Sequence, residues 1–142
     1  MDYECTYKAI AQLINAYNII SNPEHWCQRK ELKEMAVTLD QAVVMVCGDD
    51  PAYQHNTDAN GVYPGNLQRG QIHEAAWFVR QALNKTAPEY GGLIYKWNDA
   101  PGRTHKDIMR LVELAIDIAN DESDRLLAMV EAGTDCTDGG MA

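Results

Sequence analysis

Residues 31–47 read ELKEMAVTLDQAVVMVC, and two architectures are open in that stretch. Thr38 and Gln41 have the spacing of a capping box, which would start a short helix ending at Gly48. Val37, Val43, Val44 and Val46 are β-branched and favour extended structure, with Asp40-Gln41 at the turn of a hairpin. The valines tilt the reading toward strands. The fold class is then α+β and mainly helical: three principal amphipathic helices with a small β-hairpin or short strands.

The three helices flank this stretch. TYKAIAQLINAYNIISNP has apolar residues at 7, 10, 11, 14, 17 and 20, one buried stripe of a helix over about 5–20. Asn22-Pro23 stops it, because the residue before proline is pushed out of the helical region. IHEAAWFVRQAL places Ile72, Ala76, Val79 and Leu83 on one helical face, and Pro88 and Gly91-Gly92 close that unit. Leu93-Ile94-Tyr95 reads as a short strand. HKDIMRLVELAIDIAN buries Ile108, Leu111, Val112, Ala115, Ile118 and Ala119. Its outer face carries Lys106, Arg110, Glu113 and Asp117 at spacings that permit mutual pairing. A last turn or short helix through Leu126, Leu127 and Val130 is expected to pack back. Between helices, Gly48 to about Arg69 is polar and rich in turn residues, a length that is usually functional or mobile in a compact domain.

The size suits one core: 142 residues, 46% apolar, read as a single compact domain over 1–131 with a disordered acidic tail over 132–142. The formal charge is −9, and residues 120–142 hold six acids against Arg125 alone, or −5 of it. A surface of that sign repels nucleic acid, so no direct nucleic-acid binding is expected. No apolar run approaches the ~18 residues of a membrane span, and the acid at position 2 does not suit a signal peptide. The expectation is a cytoplasmic protein, in the host-cell cytoplasm if phage-encoded. Cys5, Cys27, Cys47 and Cys136 form no CxxC pair and read as reduced thiols.

Several chemistries fail on their residues. NTDANG (56–61) resembles a calcium loop, but Asn56 stands at its first position and Leu67 at its twelfth. GNLQRGQI (65–72) has phosphate-loop glycine spacing, but Gln71 and Ile72 stand where lysine and a hydroxyl are needed. Ser21 and Ser123 lie in no glycine elbow, and His73-Glu74 lacks a second histidine. His25-Trp26-Cys27 is the one metal-flavoured pair. Trp26 as a core anchor and Cys27 as a small buried residue is the preferred account. Neither metal nor cofactor is expected.

The densest run of special-purpose side chains is WNDAPGRTH (97–105). Ala100-Pro101-Gly102-Arg103 suits a type II turn, with proline setting φ at its second position and glycine taking positive φ at its third. Thr104 then caps a helix and Asp107 completes the box. Asn98 and Asp99 can fold onto the turn's backbone, while Trp97 packs the loop onto the core. Arg103 is the residue that capping does not need. A cation beside the positive end of a helix calls for an anion. Pairing with Asp99 is favoured over a ligand phosphate or carboxylate.

On Trp26-Cys27-Gln28 and Trp97 to Thr104, followed by the stripe of Ile108 to Ile118, the chain resembles a family of small bacterial and phage proteins. That family joins an N-terminal amphipathic helix, closed by a Trp-Cys/Thr-Gln element, to a late Trp-Asn-Asp-x-Pro-Gly-Arg-Thr run. The likeness covers about half the chain, is poor across 30–70, and implies a phage or prophage context without bringing an activity. The favoured function is a non-enzymatic binding protein that counteracts the host by binding a host protein or sequestering a small anionic, nucleotide-like ligand. Its ligand-binding residues would be Arg103, Asn98, Asp99, Thr104, Trp97 and Trp26, and a homo-oligomer is compatible with it. The alternative is a small enzyme using Asp99, Arg103 and His105 on a nucleotide or phosphorylated substrate.

Overall fold

Thr38 settles the ambiguous stretch. Its hydroxyl accepts the Gln41 amide (3.3 Å), its own amide donates to Gln41 Oε1 (3.0 Å), and its carbonyl takes the Ala42 amide (3.0 Å). That reciprocal box starts a helix over Leu39–Cys47. The computed structural model describes residues 3–31, 34–47 and 73–132. It contains five α-helices among the described residues: α1 (Tyr3–Ile20), α2 (Leu39–Cys47), α3 (Glu74–Thr86), α4 (Ile94–Asn98) and α5 (His105–Glu131). Short 3-10 turns lie at Pro23–His25, Arg29–Glu31 and Pro88–Tyr90.

The α+β expectation is therefore corrected. No strand occurs among the described residues, and the fold they form is mainly helical without a sheet. The valine preference lost because strand propensity reports fit to a half-buried pleated surface, and here Leu39, Ala42, Val43 and Cys47 bury one helical face instead. The extended pairing that does occur is a parallel bridge between Trp26 and Val37. In it the Cys27 amide donates to Val37 O (3.0 Å) and the Val37 amide to His25 O (2.9 Å). Leu93-Ile94-Tyr95 is likewise not a strand: Ile94 and Tyr95 open the five-residue α4. The end of α5 is corrected too. The helix runs unbroken to Glu131, and Leu127 and Val130 are exposed rather than packed back.

One core joins the helices, with Leu13 and Ile20 from α1, Leu39 and Val43 from α2, Phe78 and Leu83 from α3, and Ile108 and Val112 from α5. Each such side chain contributes about 1.5–3 kcal/mol relative to exposure. α1 and α5 make the most extensive pairing, and α3 packs on α5. His105 Nε2 meets the carbonyl of Ile20 at 2.7 Å, so the end of α1 lies at the start of α5 and the two run antiparallel. The segments expected as a long loop over 48–69 and as a disordered tail over 132–142 lie outside the described residues, apart from Ala132. No helix among the described residues is long and apolar enough to cross a membrane.

Gly91 and Gly92 both take left-handed backbone, φ 61° and 78°, to turn the chain from the 3-10 turn into α4. A Cβ on Gly91 would meet nothing within 4 Å, whereas one on Gly92 would sit 2.5 Å from Arg80 Nε and 2.7 Å from its Cγ. Gly91→Ala should cost about 1–2 kcal/mol from φ strain alone. Gly92→Ala adds overpacking and should cost about 2–4 kcal/mol. Urea denaturation of the two variants checks the order.

Candidate functional site

Asn98 ends α4 fully buried, and every polar atom of its side chain is used. Its Oδ1 accepts the indole N–H of Trp26 (2.7 Å) and the amide of Leu39 (3.0 Å), so it also satisfies the first turn of α2. Its Nδ2 donates to Cys27 O (3.3 Å) and to Asp99 Oδ1 (3.0 Å). Gln28 Nε2 donates to the carbonyls of Asn98 (3.0 Å) and Ala100 (2.8 Å). Residues 26–29 are thereby bolted to residues 98–100, about 70 positions away in the chain.

Asp99 extends the joint. Its carboxylate accepts the Arg29 amide (2.9 Å) and Arg29 Nη1 (3.2 Å). The same guanidinium grips Asp40 of α2 with both Nη atoms and lies over the Tyr95 ring at 5.3 Å. Burial pushes the Asp99 carboxyl up, but the Arg29 amide, the Asn98 amide and the Arg29 guanidinium together hold it below its ordinary value. The expected Arg103–Asp99 pair is corrected: Asp99 pairs with Arg29. Asn98 and Asp99 also do not fold onto their own turn, because distant donors claim their side chains.

The turn and cap stand as read. The Arg103 amide donates to Ala100 O (3.2 Å) and Gly102 takes φ 80°. Thr104 Oγ1 accepts the Asp107 amide (3.2 Å) while Asp107 Oδ2 accepts the Thr104 amide (3.0 Å). Trp97 is 5% exposed and packed into the core. Asp99, Arg103 and His105 are each committed to a different place: Asp99 to Arg29, Arg103 to Trp97, and His105 to the Ile20 carbonyl. The fold thus brings Trp26, Asn98 and Asp99 together as a structural joint, and leaves Arg103 facing another space.

That space is a cleft of about 370 Å3 between the 88–90 turn and the start of α5, lined by Tyr90, Trp97, Arg103, Asp107, Arg110 and Glu89 among others. The Arg103 guanidinium stacks on the Trp97 ring at 4.1 Å and donates from Nε to Trp97 O (2.8 Å). Its Nη1 lies 3.9 Å from Asp107 Oδ2, a long contact. Arg103, Asp107 and Arg110 share one face of the helix start at i, i+4 and i+7. The Thr104 amide draws the Asp107 carboxyl below its ordinary value; partial burial opposes it, and the Thr104 hydroxyl, Arg103 and Arg110 add to the lowering. Two arginines, an aromatic wall and two carboxylates can recognise a small anion with a flat apolar part.

Sequence reading missed Arg110, Tyr90 and Glu89 as cleft residues. The 103/107/110 spacing was a usable signal, but Tyr90 and Glu89 reach the cleft only through the fold. It also missed a buried contact at the start of α3. Cys47 Sγ lies 3.0 Å from His73 Nδ1, which also accepts the Ala75 amide (3.2 Å) as the cap of α3. Accepting that amide leaves Nδ1 unprotonated, so the thiol is the donor. Among the described residues no group of three or more His, Cys, Asp or Glu side chains could hold a metal ion.

No curated protein and no solved structure matches this chain. A family model does, over residues 5–118, a span that holds both halves of the Trp26–Asn98 joint and the start of α5. The chain belongs to the family that this model describes, DUF6197, a family of unknown function.

Proposed function

We propose that this chain is a non-enzymatic binding protein that holds a small anionic, nucleotide-like ligand in the Arg103 cleft. It would serve a phage or mobile element by withdrawing that ligand from the host. The reading is carried by one observation. Arg103 is fixed by Trp97 on its face and at Nε, which leaves its outer edge preorganised toward the cleft. The phage context rests on the likeness carried by Trp26-Cys27-Gln28 and Trp97 to Thr104.

The cleft sets the ligand's size and charge. Its volume is at the small end of the roughly 300–1,000 Å3 range of ligand clefts, which favours a mononucleotide over a dinucleotide. Glu89 and Asp107 offset the two arginines, and the whole chain carries −9, which favours one or two negative charges over a triphosphate. Tyr90 supplies a ring for a base to lie against. Asp99 and His105, the other members of the enzymatic alternative, are held by Arg29 and the Ile20 carbonyl.

Calorimetry and thermal shift against mononucleotides, cyclic nucleotides and inorganic phosphate test the proposal. A mononucleotide or cyclic nucleotide should bind and be recovered unchanged. Arg110→Ala, at an exposed position, should weaken it about tenfold, and Arg103→Ala should abolish detectable binding. No binding to any of these probes would overturn the reading. A chemically altered ligand would replace it with the enzyme.

A further inference from the structure

On their solvent side α1 and α5 leave a second groove, of about 250 Å3, lined by Ile14, Tyr17, Ile116, Glu113 and Asp117. Ile14 is 44% exposed, although it stands on the helix that contributes Leu13 and Ile20 to the core. Tyr7, two turns before Ile14 on the same side of α1, is 62% exposed. On α5, Leu127 lies three turns beyond Ile116 on the same face and is also exposed. Asn120 and Ser123 interrupt that face between Ile116 and Leu127, so the apolar floor of the groove is Ile14, Tyr17 and Ile116.

The edge of that floor is acidic. Glu113, Asp117 and Asp124 recur at i, i+4 and i+11 along α5, all exposed, and among the described residues no lysine or arginine lines the groove. We propose that this groove receives an amphipathic helix of a protein partner, apolar along its centre and bearing lysine or arginine along its flanks. Charge complementarity selects that occupant. A second copy of this chain would set the same carboxylates against one another across a two-fold axis, with −9 on each body. The parts of the chain outside the described residues do not suit the groove either. Residues 48–72 carry three aspartates against Arg69, and 133–142 carry two aspartates without a base.

The test uses labelled synthetic peptides and fluorescence anisotropy at about 20 and about 300 mM salt. One peptide has leucine at i, i+3, i+4 and i+7 with flanking lysines; a second scrambles that composition; a third replaces lysine with glutamate. The patterned lysine peptide should bind at least about tenfold more tightly than either control. Ile14→Ser should weaken it about fivefold. Glu113→Gln with Asp117→Asn should weaken it about threefold to tenfold at low salt and flatten the salt dependence. Glu24→Gln with Glu31→Gln removes as much charge from exposed positions elsewhere and should leave binding unchanged. Circular dichroism confirms that these surface variants keep the fold. Equal binding of the scrambled peptide overturns the proposal, as does an equal loss in the Glu24/Glu31 variant. So does a dimer in sedimentation that Ile14→Ser dissociates, which would make the groove a contact between copies.

Discussion

Asn98→Leu is expected to lower the free energy of unfolding by about 3–5 kcal/mol, a large share of the 5–15 kcal/mol of an ordinary domain. Leucine matches asparagine in size, so little cavity arises. The loss comes from the orphaned partners. The Trp26 indole N–H, the Leu39 amide and the Cys27 carbonyl all lose their bond in a position with no exposed surface. Each orphan costs about 1–3 kcal/mol when water cannot reach it. Asn98→Asp should be at least as damaging at neutral pH. It keeps an acceptor for Trp26 and Leu39, but sets a carboxylate oxygen where Nδ2 faces Cys27 O and Asp99 Oδ1. Guanidinium titrations followed by tryptophan fluorescence give both values. A loss below about 1 kcal/mol for Asn98→Leu would mean that water repairs the joint.

Arg29→Leu should cost about 3–5 kcal/mol, because it strands the Asp40 carboxylate at 4% exposure. Asp40→Leu should cost about 1–2 kcal/mol, since Arg29 is 32% exposed and keeps Asp99. The asymmetry is the signature of a cation that reaches water and an anion that does not. The double variant Arg29→Leu/Asp40→Leu should recover part of the Arg29→Leu loss, measured as a double-mutant cycle. The wild type also gains a pH dependence at Asp99, to which, against burial, the Arg29 amide and Asn98 contribute most and the Arg29 guanidinium adds. Asp99 titrates below its ordinary 3.8 in the folded chain, so its contribution is complete above that value and is lost as pH falls through the folded one. Between about pH 5 and pH 2, Arg29→Leu should therefore lose stability less steeply than the wild type.

What could be read from residues alone was what is local. The turn at Ala100–Arg103 and the box of Thr104 with Asp107 close within three residues, and both stand in the fold. α1, α3 and α5 are long enough to show a period, but in α1 the expected stripe is out of phase: Thr6, Ala9, Leu13, Ala16 and Ile20 are buried while Tyr7 and Ile14 are exposed. α2 was misread because its first amide is satisfied by Asn98, 59 positions on, while its valines carry a local preference the packing overrides. α4, at five residues, is too short to show a helical period. The site divides the same way. Trp97, Arg103 and Thr104 behave as their neighbours in sequence dictate, whereas Asn98 and Asp99 answer to Trp26, Cys27 and Arg29. Pairing Arg103 with Asp99 was the nearest choice in sequence. It failed because Arg29 arrives from the other end of the chain.

The contact between Cys47 and His73 has a consequence for how such a chain can vary. The last residue of α2 and the residue that caps α3 touch across 26 positions of sequence, so the two helix ends answer to one contact. A bulkier side chain in place of Cys47 would press on the imidazole that accepts the Ala75 amide, and the close of one helix and the opening of another would loosen together.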